Sequence, residues 1–206
     1  NFFLFLFLLK FLSVENYGIY TLVWAHVNIL SPLADFGTTT YGIVKLPVDS
    51  KDKYNYFYSL RIVTSLIAVF ITSLLAFILN LNYLFILFVL LTSPIILSNA
   101  FSGTYLIILS LKNKQYFSSI VSILFNLIII LTLIFLTITT KSLVYIFTAI
   151  GFFYIVYTII NYFLSKKEFP TFSFKFNYKV WKIILKKSLI YVAISLFAGL
   201  YFKLDL

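Results

Sequence analysis

The chain has 206 residues, of which 62% are hydrophobic, 21% aromatic and only 11% charged, and its mean hydropathy is +1.05. A water-soluble domain carries about 45–50% apolar and about 25% charged residues, so a soluble globular fold is excluded and the chain belongs in a bilayer. The net charge of +10 would on its own suggest a nucleic-acid partner, but its distribution along the chain argues for membrane orientation and for no nucleic acid.

Apolar runs of about 20 residues are the unit of a membrane-spanning helix, because the backbone must satisfy its own hydrogen bonds in hydrocarbon. Phe2–Leu12 is too short to span and reads as the second half of a span. Tyr17–Leu46 is long and interrupted by Pro32, Asp35 and Gly37. Ile62–Leu79 is a clean span, and Tyr83–Leu111 is a long one broken at Pro94. Ser118–Ile138 and Leu143–Leu164 follow, and Ser188–Leu206 begins the last. Runs such as Leu127–Leu131 show no polar–apolar alternation, so a membrane β-barrel does not fit. The expected fold is an all-α integral membrane protein, a polytopic helical bundle of about six transmembrane helices plus the start of a seventh. The chain opens on Asn1, contains no Met and stops within an apolar run, so it is expected to be a piece of a longer protein.

Alternate connections carry the basic residues. Lys45, Lys51, Lys53 and Arg61 flank the second connection, and Lys112 and Lys114 sit in the fourth. Lys166, Lys167, Lys175, Lys179, Lys182, Lys186 and Lys187 fill the sixth, whereas the opposite connections contribute only Lys141. Such asymmetry places the basic loops, and with them the N-terminus, in the cytoplasm. Within 165–187, Lys175, Lys179, Lys182 and Lys186 recur at helical spacing. They predict a basic interfacial helix on anionic membrane lipids, with Trp181 at the headgroup level. That helix serves as a topological anchor, as a hinge, or as both.

Polar residues inside spans are costly and face a cavity or a partner helix. Asn28, Ser31, Asp35, Thr38 and Thr39 share a face of the second segment. Asp35 either lines a cavity or, near the cytoplasmic end, is merely solvated or caps a helix restart. Asn99, with Thr92, Ser102 and Gly103, forms a comparable face after Pro94, and Asn126 lies with Ser119 and Ser122 on the fifth segment. Ser65, Ala68, Thr72 and Ala76 make a small-residue face on the third. Arg61 reads either as a cavity-facing cation that attracts phosphate or as a cytoplasmic anchor. Lys203 and Asp205, two residues apart, fall on different faces and do not pair with each other. His26 is an interhelical hydrogen-bonding residue or a proton switch. With no Cys and one His there is no metal-ligand set, and neither a nucleophile triad nor a cofactor-binding motif is present, so no catalysis and no cofactor are expected.

Three stretches resemble bacterial polysaccharide flippases. Ser13-Val14-Glu15-Asn16-Tyr17-Gly18-Ile19-Tyr20 is similar to the turn that opens the second span of that family. Leu33-Ala34-Asp35-Phe36-Gly37 is similar to the kink that closes it, followed by a basic loop and Ser59-Leu60-Arg61. Trp181 through Ser188, then Leu200-Tyr201-Phe202-Lys203-Leu204-Asp205, resemble the amphipathic linker and the start of the seventh span. The resemblance is to the O-antigen and polysaccharide flippase branch of the multidrug/oligosaccharidyl-lipid/polysaccharide exporter superfamily, and it extends in order along essentially the whole chain.

The resemblance implies two six-helix lobes around a central cavity. Residues 1–164 would then be the N-terminal lobe with its first helix truncated, 165–187 the cytoplasmic linker, and 188–206 the start of the C-terminal lobe. It implies transport of an undecaprenyl-diphosphate-linked oligosaccharide across the bacterial inner membrane by alternating access, with a coupling ion, H+ or Na+, as a further partner. Asp35, Arg61 and Asp205 are the positions that match the family pattern, and Lys10 is the one basic residue on the first span. The rivals are a drug/cation antiporter of the same superfamily and a membrane-embedded polysaccharide polymerase or ligase. The latter would need a large charged outer loop, whereas the outer loops here are short.

Overall fold

The computed structural model describes residues 2–47, 51–78, 83–168 and 172–204. It is 89% helical, with no strand among the described residues. The helices are α1 (Phe2–Phe11), α2 (Val14–Asp35), α3 (Thr38–Lys45), α4 (Lys51–Ile78), α5 (Tyr83–Leu111), α6 (Gln115–Thr139), α7 (Leu143–Lys166) and α8 (Tyr178–Leu204).

Among the described residues four helices are long and apolar enough to cross a membrane: α4 over Lys53–Leu75, α5, α6 and α7. The protein is therefore an all-α, multi-pass membrane protein. The expected six spans plus a seventh are not all of this kind, for a compositional reason. Helix α1 has 10 residues, α2 carries Glu15, His26, Asn28 and Asp35, and α8 carries Lys179, Lys182, Lys186 and Lys187.

Local chemistry sets the boundaries. The Ser13 hydroxyl accepts the Asn16 N–H at 3.3 Å, an N-cap, and Glu15 in the first turn suits the positive end of the α2 dipole. Two consecutive left-handed residues, Phe36 (φ 50°) and Gly37 (φ 64°), end α2 and separate it from α3. The interrupted segment Tyr17–Leu46 is thus two helices rather than one loosened span. Helix α5, by contrast, runs unbroken through Pro94. Proline leaves the carbonyl four residues earlier without its amide, and the Ser93 hydroxyl donates to that Leu90 carbonyl at 2.8 Å.

Helix α5 is the centre of the bundle, packed against α7, α4, α2 and α3. Gly151 of α7 permits a close approach of the two backbones: a Cβ there would lie 2.4 Å from the Leu91 carbonyl oxygen. The outward faces of α4, α6 and α7 stay apolar, as at Phe70, Leu131, Phe135 and Phe152, and suit lipid.

Two apolar clusters fill the interior. One joins Leu8, Tyr20, Val23, Ile95, Ile96, Leu133 and Phe147. The other, at the lysine-rich end, joins Tyr54, Phe57, Leu60, Ile107, Ile108, Trp181 and Ile184. Helix α8 continues from Tyr178 through the boundary expected after Lys187. Lys175 precedes that helix, so the predicted four-lysine helical stripe reduces to Lys179, Lys182 and Lys186, all exposed. Trp181 packs in the second cluster at 8% exposure.

Candidate functional site

A layer of polar residues lies where the α2–α3 break meets α4 and α5. Arg61 is fully buried, at 0% exposure, and its guanidinium reaches three other helices. Nε donates to Thr38 Oγ1 at 2.8 Å. Nη1 donates to the Ala100 carbonyl and to Thr104 Oγ1, each at 3.3 Å. Nη2 donates to Asp35 Oδ1 at 2.7 Å and to Thr39 Oγ1 at 2.5 Å. A guanidinium has five N–H donors, and here each has an acceptor. Gly103 makes the room, since a Cβ there would sit 2.4 Å from Arg61 Nη1. Of the two readings open for Arg61, neither describes it. It is an internal cross-link with no donor left for a phosphate.

Asp35 joins the two readings that the sequence left open. Its Oδ2 accepts the Thr39 N–H at 3.4 Å, capping the restart as α3. Its Oδ1 accepts Thr39 Oγ1 at 2.6 Å beside the Arg61 bond. The same side chain is 24% exposed and lines a cavity of about 460 Å³. Asn28, Ser31, Asn99, Ser102, Trp24, Tyr154 and Tyr157 also line it. Across its wall Asn99 Nδ2 donates to Ser31 Oγ at 2.6 Å, tying α5 to α2. Trp24 Nε1 donates to the Tyr20 hydroxyl.

Two smaller cavities, of about 200 and 120 Å³, share Asn126 and Tyr154 with one another. The first of them also shares Trp24 and Asn28 with the large cavity, and the second Asn99 and Tyr157. Asn28, Asp35, Asn99 and Asn126 thus border one string of linked cavities, and Arg61 lies behind Asp35. Among the described residues no Lys or Arg side chain lines any of the three.

No family model, curated protein or solved structure matches the chain.

Lys203 falls in the last turn of α8, where its side chain is not described, and Asp205 lies outside the described residues. Lys51 and Ala76 likewise have backbone described but not side chain. His26 packs edge-on to Phe85 at 6.0 Å, and its Nε2 is buried without a hydrogen-bond partner among the described residues. Among those residues no group of three or more His, Asp or Glu could hold a metal ion.

Sequence reasoning missed several polar contacts between helices. Asn161 is fully buried and its Oδ1 accepts the Ser118 hydroxyl at 3.1 Å, joining α7 to α6. Thr158 donates to Ser98 Oγ at 2.6 Å. The segment 172–177 is no free linker: Ser173 N–H donates to Asn55 Oδ1 at 3.0 Å and Lys175 N–H to Ser59 Oγ at 2.7 Å. Phe172 sits among Tyr58, Tyr105 and Tyr162. The one available signal was the set of amides and hydroxyls inside apolar runs, which marks interhelical contacts without naming partners.

Proposed function

We propose that the chain is the transmembrane lobe of a transporter that moves a lipid-linked oligosaccharide from the cytoplasmic to the outer leaflet for surface polysaccharide synthesis, and that it is not an enzyme. The observation that carries this is the lining of the linked cavities, in which Asn28, Asn99 and Asn126 alternate with Trp24, Tyr154 and Tyr157. Amides that donate and accept, beside flat aromatic faces, suit the hydroxyls and ring faces of sugars. The sugar head would pass through this interior while the polyprenyl tail stays in lipid.

In this reading α1, α2 with α3, α4, α5, α6 and α7 are six spans, and α8 begins a seventh within a second lobe. The lysine-rich end faces the cytoplasm of a bacterial inner membrane. The segment 165–187 joins the lobes, and their rocking alternates access. Because Arg61 is satisfied internally, the diphosphate contact falls outside the three cavities, with Lys203 and the second lobe as its candidates.

Asp35, the one carboxylate on the cavity wall among the described residues, favours a second reading, a drug/cation antiporter, and within the first reading it is the residue placed to meet a coupling H+ or Na+. The gene that carries this chain should restore surface polysaccharide to a bacterium lacking its own flippase. Asn99→Leu with Asn126→Leu should abolish that rescue. Failure of rescue with several glycans despite membrane insertion, together with efflux of an organic cation, would replace the first reading by the second.

A further inference from the structure

A separate cavity of about 220 Å³ opens at the lysine-rich end between α3, α4 and α8. Tyr41, Leu46, Phe57, Val180, Ile183 and Ile184 form an apolar wall, and Lys45, Lys53 and Lys187 stand with them. Each helix brings one lysine four residues from an apolar side chain on the same face: Tyr41 and Lys45, Lys53 and Phe57, Ile183 and Lys187. All three lysines are exposed, and no ion pair ties them to another described residue.

Three ammonium groups around an apolar pocket, with no ion-pair partner among the described residues, repel one another unless an anion joins them. In sequence Asp49 and Asp52 fall among Lys45, Lys51 and Lys53, but residues 45–53 and 178–187 together contain seven lysines and two aspartates. The excess is positive. A solvated anion would have no use for the apolar wall, whereas an amphiphile uses both halves. Helix α8 extends the apolar half: Ile190 and Ile194 lie within about 60° of Lys187 around the helix, and they are 63% and 59% exposed.

We infer that this cavity binds one anionic phospholipid, its phosphate held by Lys45, Lys53 and Lys187 and an acyl chain laid along Ile190 and Ile194. The site rests on the reading that α8 enters the bilayer from the lysine-rich face. It is distinct from the general basic surface, because Lys179, Lys182 and Lys186 lie about 80°, 140° and 100° away from Lys187 around α8 and do not line the cavity.

Native mass spectrometry of the full chain in neutral detergent, titrated with dioleoylphosphatidylglycerol, tests it. One lipid should bind saturably per chain, with dioleoylphosphatidylcholine markedly weaker. The triple variant Lys45→Gln, Lys53→Gln, Lys187→Gln should lose at least about tenfold in affinity. Lys179→Gln, Lys182→Gln, Lys186→Gln removes the same charge and should cost less than about twofold. Equal losses from both triples, or equal binding of phosphatidylcholine, would overturn the site. Displacement of the lipid by millimolar inorganic phosphate would also overturn it, by marking a free-anion site. Labelling of single cysteines at Ile190 and Ile194 by an impermeant charged thiol reagent in native membranes would instead sink the membrane placement of α8.

Discussion

Arg61 on α4 holds Asp35 at the end of α2 across 2.7 Å, a contact between residues 26 apart in sequence. It lies between the two apolar clusters, with Leu60 on one side and Ala34 on the other. An ion in such a place is tolerated only where every donor is met and the partner charge is adjacent.

Truncating one member should therefore cost far more than removing both. Arg61→Ala is expected to destabilise the fold by about 3–5 kcal/mol, because it strands Asp35 and the hydroxyls around it. Asp35→Asn with Arg61→Gln should lose clearly less than the sum of the single changes. Reversible unfolding in mixed micelles, run as a double-mutant cycle, gives the coupling. Additive losses would mean the pair is not an interacting unit.

Gly37 should tolerate no side chain. A Cβ there would meet Ser188 O and Val192 N of α8, both at 2.7 Å, on a backbone with φ of 64°. Gly37→Ala is expected to cost at least about 1–2 kcal/mol from backbone conformation alone and to push α8 away. The check is a lower melting temperature in detergent, with faster proteolysis around residues 172–178. Gly18, inside α2, has nothing within 4 Å of a built Cβ, so Gly18→Ala serves as the control and should be neutral or mildly stabilising.

The chain contains no Cys, so single cysteines report water access directly. Cysteines at Asn28, Ser102 and Asn126 should react with a small charged thiol reagent. Those at Phe70, Leu131 and Phe152, on the apolar outer faces, should stay unmodified until the protein is denatured. The opposite pattern would place the cavity string against lipid. An impermeant reagent applied to intact cells should miss a cysteine at Lys112 and label one at Thr140, which reads the orientation independently.

The segment before α8 should loosen when its two anchors are removed. Asn55→Ala and Ser59→Ala each leave a strap amide without its acceptor, at about 1 kcal/mol apiece. Hydrogen exchange at Ser173 and Lys175 should accelerate in the matching variant, while α6 amides stay unchanged. Uniform acceleration everywhere would mean a global effect.

Uninterrupted apolar runs showed themselves plainly in the sequence, because run length and helix length obey the same hydrocarbon thickness. The bounds read for Tyr83–Leu111 are those of α5, although the break expected at Pro94 is absent, and α7 starts at Leu143 as read. The start of α4 was not legible. Tyr54, Asn55 and Ser59 look like loop residues, yet they are buried by α8 and the strap, which arrive more than a hundred residues later. Asn28, Asp35, Asn99 and Asn126 were recognisable because an amide or carboxylate inside an apolar run must have somewhere polar to go. Arg61 was not, since hydropathy sees a cation near a span end and cannot see acceptors on α2, α3 and α5. The lysine stripe failed at Lys175 for a related reason: the residues before Tyr178 spend their backbone donors on α4 side chains instead of on a helix.

The shell around Arg61 also sets an order of events during synthesis. A lone arginine in the middle of a helix costs about 2.5–3.5 kcal/mol on entering lipid. Asp35, Thr38 and Thr39 leave the ribosome before it, but Ala100 and Thr104 follow, the latter 43 residues behind. For that interval α4 has only part of its shelter. Retention of α2, α3 and α4 together until α5 arrives would let the shell close around Arg61 before the helices are released as one unit.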